Sequence, residues 1–384
     1  MSASIKNILI ISASIGSGHD RAANALADAL QSRYPLAQIT VVDFMDGDSS
    51  YLNSFMKETY LKMIRLSPNI YDLLYRWSHT GRQGTEMGNL MARMMKASMK
   101  KLIKRYQPDW IIATHPFPCG TAAYLKKTGT IHTPLAGVIT DFAIHRLWVY
   151  SEVDCYFVAA PEMRDDLLKQ GVSAGKICVT GIPIDSRFSA SVDRMAVLRD
   201  LGLTEDRFTV LVMGGGMGLG GLQQAMEALN SIPVNLQMVV VAGKNHSLYQ
   251  QLQAVTASFV QEVRVLSYTN RVPELMAAAH VLITKPGALT ISEALTMKLP
   301  MLLYEPIPGQ EKENAAYLDA KGAAFWVKDE VELCRLLMEM MANSPVVAGV
   351  QENAGKLGQP RAAENIARII SRRFDKQRGI VAGF

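Results

Sequence analysis

Short apolar runs recur along the chain, several of them closed by Gly, Pro or Asp, with stretches of helical period between some of them. That alternation predicts parallel strands joined by crossover helices, because a strand covered on both faces is apolar at every position rather than at every second one. Lys6-Asn-Ile-Leu-Ile-Ile11 predicts the first strand, Ala22 to Arg33 the first helix and Ile39-Thr-Val-Val-Asp43 the second strand, which together make a βαβ unit. Trp110 to Ala113, Pro134 to Ile139, Cys155 to Val158 and Ile177 to Thr180 continue the series, and Gly181 to Asp185 reads as a linker. A second series opens with Phe208 to Met213, passes through Leu236 to Val241 and Arg264 to Leu266, and ends with Val281 to Ile283 and Met301 to Tyr304. The expected architecture is α/β, with two doubly wound domains facing a cleft: residues 1–183, residues 184–360, and a tail over residues 361–384. In such sheets ligands sit at the carboxyl ends of the strands.

With 384 residues and 49% apolar content, the chain can build two cores of ordinary size. No window approaches the roughly 18 uninterrupted apolar residues of a membrane span, and Met1-Ser-Ala-Ser-Ile-Lys-Asn7 runs into a strand without the features of a secretory leader, so a cytoplasmic protein is expected. Cys119, Cys155, Cys178 and Cys334 are scattered and predict neither a disulfide framework nor a zinc site. Charge is uneven. Between Phe55 and Gln107 stand eleven Lys or Arg against three Asp or Glu, an excess larger than the +5 of the whole chain. Apolar residues, Trp77 among them, interleave with cations that include Lys100 and Lys101, the pattern of a helix lying on an anionic bilayer, although half of it can equally be a packing face. No nucleic-acid-binding module accompanies the charge, so nucleic acid is not an expected partner.

Candidate chemistry gathers where a strand ends, a glycine turn follows and a helix starts, since such a start presents unpaired main-chain amides to an anion. In Thr284-Lys-Pro-Gly-Ala-Leu-Thr-Ile-Ser-Glu293, Pro286 and Gly287 end the strand, and the amides of Gly287, Ala288, Leu289 and Thr290 can bind phosphate oxygens. Glu293, a turn further on, can accept hydrogen bonds from both hydroxyls of a ribose, or only complement the helix dipole. After Met301 to Tyr304, a turn over Pro306 to Gly309 leads into a helix presenting Gln310, Glu311 and Asn314, suited to reading sugar hydroxyls. Gly214 to Gly221 repeats the design, with the amides of Gly215, Gly216, Met217 and Gly218 facing a phosphate. Gly216, Gly218 and Gly221 satisfy G-x-G-x-x-G, but a dinucleotide fold needs an acid ending the next strand, and Val241 is followed by Ala242-Gly-Lys-Asn245. The N-terminal turn has Gly16 and Gly18 with Arg21 at the third glycine position, although Asp43 ends the next strand. His19 stands at that turn, where a neutral imidazole can take the proton of an attacking alcohol or serve only as a helix-start His with local bonds. Asp141 is the rival base, or the partner that orients His19. His115, His145 and Trp148 fall in loops at the same edge and are candidates for the acceptor side, His115 equally for a structural role. Asp46-Gly-Asp48 has the look of a metal-binding pair but reads as solvated turn residues, and no metal is expected.

The stretch from Thr284 to Pro300 with Pro306 to Asn314 resembles the C-terminal donor-binding motif of glycosyltransferases related to monogalactosyldiacylglycerol synthases and bacterial processive diacylglycerol glucosyltransferases. Ser12-Ala-Ser-Ile-Gly-Ser-Gly-His-Asp-Arg-Ala-Ala23 is similar to that family's N-terminal Gly-x-Gly-His element, and Thr140-Asp141-Phe142 through His145 and Trp148, with Thr180-Gly-Ile-Pro-Ile-Asp185, extend the likeness over most of the chain. A more distant similarity is to the transferase that adds N-acetylglucosamine to the peptidoglycan lipid precursor. The resemblance implies the GT-B fold, an N-terminal Rossmann-like domain for the acceptor and membrane, a C-terminal one for a UDP-sugar, and a last helix near Ala362 to Phe374 crossing back to the first domain. It implies His19 as base and recognition of uracil near Ser267-Tyr-Thr-Asn270, with Thr269 at its centre. The expected reaction is inverting transfer of a hexose, glucose or galactose, from a UDP-sugar to a lipid hydroxyl such as that of diacylglycerol, with no cofactor, by an enzyme held peripherally at the inner face of the membrane. Ser17 between the glycines and Asp20 after the His are departures that do not identify the sugar. The alternatives are N-acetylglucosamine transfer to an undecaprenyl-linked precursor and a non-catalytic UDP-sugar sensor.

Overall fold

The computed structural model describes residues 5–14, 17–45, 81–216, 221–342 and 344–377. Trp77 with the basic residues before Gly81, the Asp46 and Asp48 pair, and Met217 and Gly218 lie outside these residues. The chain forms two units, Met1–Asp185 with Arg361–Phe384, and Ser186–Pro360.

The first unit runs β1 (Asn7–Ser12), α1 (Gly18–Arg33), β2 (Gln38–Asp43), α2 (Gly81–Tyr106), β3 (Trp110–Ala113), α3 (Pro116–Lys127), β4 (Leu135–Val138), β5 (Cys155–Val158), α4 (Pro161–Lys169) and β6 (Ile177–Val179). Its sheet is parallel in the order β2-β1-β3-β4-β5-β6. Every residue of β3, β4 and β5 is buried, as helices on both faces of the sheet require. α1 begins a turn earlier than its apolar periodicity predicts, because the first turn, Gly18-His-Asp-Arg21, is polar. α2 turns Ala92, Met95, Ser98 and Met99 inward and packs on α3, while Arg93, Lys96, Lys100, Lys101, Lys104 and Arg105 stay exposed. Its outer face also carries Leu90 and Met94, 55% and 46% exposed.

The second unit runs α5 (Arg194–Asp200), β7 (Phe208–Met213), α6 (Leu222–Asn230), β8 (Leu236–Val241), α7 (His246–Thr256), β9 (Glu262–Leu266), α8 (Val272–Ala278), β10 (Val281–Thr284), α9 (Ala288–Thr296), β11 (Met301–Leu303), α10 (Gln310–Ala320), β12 (Phe325–Trp326), α11 (Glu330–Ala342) and α12 (Ser344–Leu357). Its parallel sheet has the order β12-β11-β10-β7-β8-β9. β9 starts two residues before the predicted Arg264, and the two-residue β12 is too short to leave a pattern in the sequence.

The last helix, α13 (Ala362–Gln377), belongs to the first unit. Ile366, Ala367, Ile370 and Phe374 recur at helical spacing and share one core with Ile8, Ile10, Ala23, Leu26 and Leu30. Arg33 reaches the Ser371 hydroxyl at 3.3 Å, and Arg373 donates to the Gly175 carbonyl at 2.6 Å. Strand order reverses between β1 and β3 in the first sheet and between β7 and β10 in the second, and a crevice opens at the carboxyl edge of a doubly wound sheet where its order reverses.

Candidate active site

At the first switch point the turn after β1 is braced from both sides. Ser12 Oγ donates to Asp20 Oδ1 at 2.5 Å, and Asp43 Oδ1 accepts from the amides of Ser14 and Met45 at 3.0 and 2.9 Å. The acid ending β2 therefore holds the β1 turn. α1 begins at Gly18, with no side chain capping it, and its first turn carries the partly buried His19 to the ends of β3 and β4. There His19 Nδ1 lies 2.9 Å from the Thr114 carbonyl oxygen and 2.7 Å from Thr140 Oγ1. A carbonyl oxygen only accepts, so this contact assigns the ring proton to Nδ1 and leaves the lone pair on Nε2. Thr114 Oγ1 donates back to the His19 carbonyl at 3.2 Å, tying helix and strand end together. Burial lowers the His19 pKa from 6.5 to about 4, against the opposing effect of the Thr114 hydrogen bond. The imidazole is accordingly neutral at pH 7, with the Nε2 lone pair unprotonated.

His115 lies edge-on to His19, ring centres 4.7 Å apart, and its Nδ1 accepts from the Phe117 amide at 3.2 Å as the cap of α3. Burial first, and His19 second, hold its pKa well below the usual imidazole range. His145 is 4% exposed and caps the short 3-10 turn Arg146–Trp148 by accepting from the Leu147 amide at 3.1 Å. Trp148 corrects its expected place on the acceptor side: it is 1% exposed, with its carbonyl accepting from the Tyr156 hydroxyl at 2.9 Å, and it is a core residue. Asp141 is partly buried and follows Thr140 directly.

At the second switch point the loops after β7 and β10 meet. Gly215 has φ +69°, and the amide of Lys244 donates to the Gly216 carbonyl at 3.0 Å. Gly243, at φ +67°, brings the backbone after β8 so close that a Cβ would lie 2.8 Å from the carbonyl oxygens of both Gly215 and Gly216. After β10, Thr284 Oγ1 donates to the Met213 carbonyl at 2.9 Å, binding the two strand ends. α9 starts behind Gly287 with no side-chain cap, which leaves the amides of Ala288, Leu289 and Thr290 at the crevice edge. Glu293 is 1% exposed and sits in the second turn of α9, past the first turn where the helix dipole favours an acid.

α10 contributes unequally. Gln310 is partly exposed at its start. Asn314, expected at the sugar, is completely buried and donates to the Pro286 carbonyl at 3.1 Å, so in this structure it fixes the turn before α9. Glu311 accepts from the Ile307 amide at 2.9 Å and is ion-paired with Lys285. Thr269, partly buried, accepts from the Arg271 amide at 3.1 Å. Sequence reasoning missed three contributors: Thr114 and Thr140, which hold His19, and Lys285. All three fall inside or beside strand-end motifs, but only the strand order brings the first two to α1.

A reversal crevice bearing a neutral, oriented imidazole, and another edged by glycine turns and an uncapped helix start, define a nucleotide-sugar-dependent transferase of the GT-B class. Residues 19–184 match the family described as monogalactosyldiacylglycerol (MGDG) synthase, and residues 209–366 the glycosyltransferase family 28 C-terminal domain. The processive diacylglycerol beta-glucosyltransferase of Bacillus cytotoxicus is 30% identical over 369 residues, covering 95% of this chain and 94% of that protein. The Bacillus mycoides protein of the same name is 31% identical with the same coverage. The chain belongs to this family of glycosyltransferases. Among solved structures, Acinetobacter baumannii MurG has a TM-score of 0.61 at 16% identity, covering 96% of this chain and 99% of that one. Anabaena HepE in complex with UDP-glucose has a TM-score of 0.56 at 15% identity, covering 98% and 100%. These two likenesses are of fold.

Proposed function

We propose that the enzyme transfers glucose from UDP-glucose to the free hydroxyl of diacylglycerol with inversion at the anomeric carbon. The acceptor O–H gives its proton to His19 Nε2 as its oxygen bonds to C1, and the C1–O bond to the β-phosphate breaks, releasing UDP. One displacement from an α-linked donor yields a β-glucoside. The observation that carries the chemical step is the assignment of His19: its Nδ1 proton is committed to Thr114 and Thr140, and burial keeps the ring neutral, so Nε2 is a free base at pH 7. The Thr114 carbonyl and the Thr140 hydroxyl, both on Nδ1, then stabilise the imidazolium as it forms, and Asp141, next to Thr140 in the chain, is kept as the rival base.

In the donor unit the amides of Ala288, Leu289 and Thr290 and the 215–218 loop would receive the diphosphate, Glu293 the ribose hydroxyls, the loop at Thr269 the uracil, and Gln310 and Glu311 the sugar. The reading needs no resident cofactor. The choice of glucose and of diacylglycerol is supported by the names of the relatives, which match this chain nearly end to end. Among the described residues no helix is long and apolar enough to cross a membrane. Peripheral contact is supported instead by the outer face of α2, where Lys96, Lys100, Lys101 and Lys104 flank exposed Leu90 and Met94.

The test is incubation with diacylglycerol vesicles and UDP-glucose, UDP-galactose or UDP-N-acetylglucosamine, with mass spectrometry and sugar analysis of the lipid. β-Glucosyldiacylglycerol with matching UDP release is expected. A glycolipid carrying another sugar would correct the donor, and no glycolipid from any donor would defeat the reading. His19→Ala should abolish turnover and leave UDP binding intact, which separates an enzyme from a sensor.

A further inference from the structure

Lys285 stands between the two glycine turns of the donor unit. A side chain on Gly215 would begin 3.1 Å from its Cε, and one on Gly287 would begin 3.9 Å from its Nζ. The ammonium thus lies where a diphosphate held by both turns would lie. In this structure it is paired with Glu311 Oε1, both side chains being 15% exposed, while Glu311 Oε2 is held by the Ile307 amide. Glu311 belongs to the first turn of α10, next to Gln310.

We propose that this pair is an exchange switch coupling the diphosphate to the sugar. The arriving diphosphate takes the Lys285 ammonium, since two phosphate charges outcompete one carboxylate. Glu311 is thereby released to accept hydrogen bonds from sugar hydroxyls. In the empty protein the pair neutralises itself and masks both subsites, so the sugar is gripped only when the diphosphate is in place. The inference rests on the donor-site reading above, and titration of the parent chain separates the two.

Calorimetry on the full chain with UDP and UDP-glucose is the measurement. Glu311→Gln keeps an acceptor for the Ile307 amide and frees Lys285, so it should bind UDP about fivefold or more tightly, the low end of coupling between linked sites. The same variant should lose the extra affinity that the glucose moiety confers. Lys285→Gln should weaken both ligands by about tenfold, the loss of one charge-assisted contact. Adding Glu311→Gln to Lys285→Gln should not tighten UDP. If the tightening persists in the double variant, Glu311 acts by simple charge repulsion and the exchange is refuted; unchanged or weaker UDP binding by Glu311→Gln refutes it as well. Should that variant not fold, the parent carries the test, because UDP but not UMP should raise its affinity for free glucose, and equal glucose binding with both overturns the switch. A parent chain that binds no UDP overturns the donor-site reading together with the switch.

Discussion

Thr140→Val removes a single hydroxyl, close to isosterically, from the pair of oxygens that hold His19 Nδ1. That hydroxyl is 2.7 Å from Nδ1, the Thr114 carbonyl 2.9 Å, and Thr140 is 6% exposed, so water has little access to replace the loss. In the ground state the ring is neutral and the contact is worth about 1 kcal/mol. As His19 takes the acceptor proton the ring becomes an imidazolium, and the same contact becomes one to a charged donor, worth about 1.5 to 3 kcal/mol. The difference acts only in the transition state. kcat should therefore fall about twofold to thirtyfold, for a difference of about 0.5 to 2 kcal/mol, at unchanged KM for UDP-glucose, the mark of an interaction made only as charge develops. Thr140→Ser keeps the hydroxyl and should stay within about twofold of the parent, a span of less than 0.5 kcal/mol. The assay is initial-rate UDP release on diacylglycerol vesicles across donor concentrations. Parental kcat in Thr140→Val, or a loss in Thr140→Ser as large as in Thr140→Val, would refute the positioning role.

Three further outcomes follow from the same structure. The native His19 pKa of about 4 lies below the ordinary 6.5, so between those values the unfolded chain binds the extra proton. Stability should be complete above about pH 6.5 and fall as pH drops toward 4, by at most about 3 kcal/mol from this residue, with His115 acting in the same direction; urea unfolding at pH 7 and 5 should show a shallower difference in His19→Gln. Gly243→Ala forces a left-handed alanine against two carbonyl oxygens, so it should cost about 2 kcal/mol or more, lower the Tm by several degrees and weaken UDP binding, whereas parental values would mean the 215–216 loop is not held there. Replacing Lys100 and Lys101 with Gln should reduce partitioning onto phosphatidylglycerol vesicles by about thirtyfold at low salt, at about 1 kcal/mol per charge, with no change on zwitterionic vesicles; equal loss on both surfaces would remove the cationic face from the argument.

The strands were legible because both faces of each sheet are covered, which makes Ile8 to Ile11 apolar at every position and Leu236 to Val241 apolar at every position but Gln237. His19 was legible as well, since a strand end, a glycine turn and a helix start occur together in a few consecutive residues. What holds His19 was not. Thr114 and Thr140 follow β3 and β4, and nothing local in the sequence says that β1 lies beside β3 rather than at an edge. Trp148 misled because it stands in a loop between strands, where an aromatic looks like a contact residue; that the Tyr156 hydroxyl, from the next strand, holds its carbonyl is not written in the local sequence. Lys285 was in view inside the β10 motif, but a lone Lys between a strand and a proline has no periodicity, and its role appears only with Glu311 across the turn.

A parallel sheet of either order reverses direction only once, and each reversal supplies one crevice. The two tasks assigned to this enzyme need opposite surroundings. A general base at pH 7 needs an imidazole kept neutral, which burial beside the ends of β1, β3 and β4 provides for His19. Release of a diphosphate needs fixed donors and a cation, which the uncapped start of α9 and Lys285 provide. The residues argued for the two tasks belong to different compact units, His19 and Thr140 to the first and Lys285 and Glu311 to the second. Thr140 and Glu311 can therefore be substituted as independent probes: Thr140→Val should act on turnover and leave UDP affinity alone, and Glu311→Gln should alter UDP affinity without moving the protonation of His19.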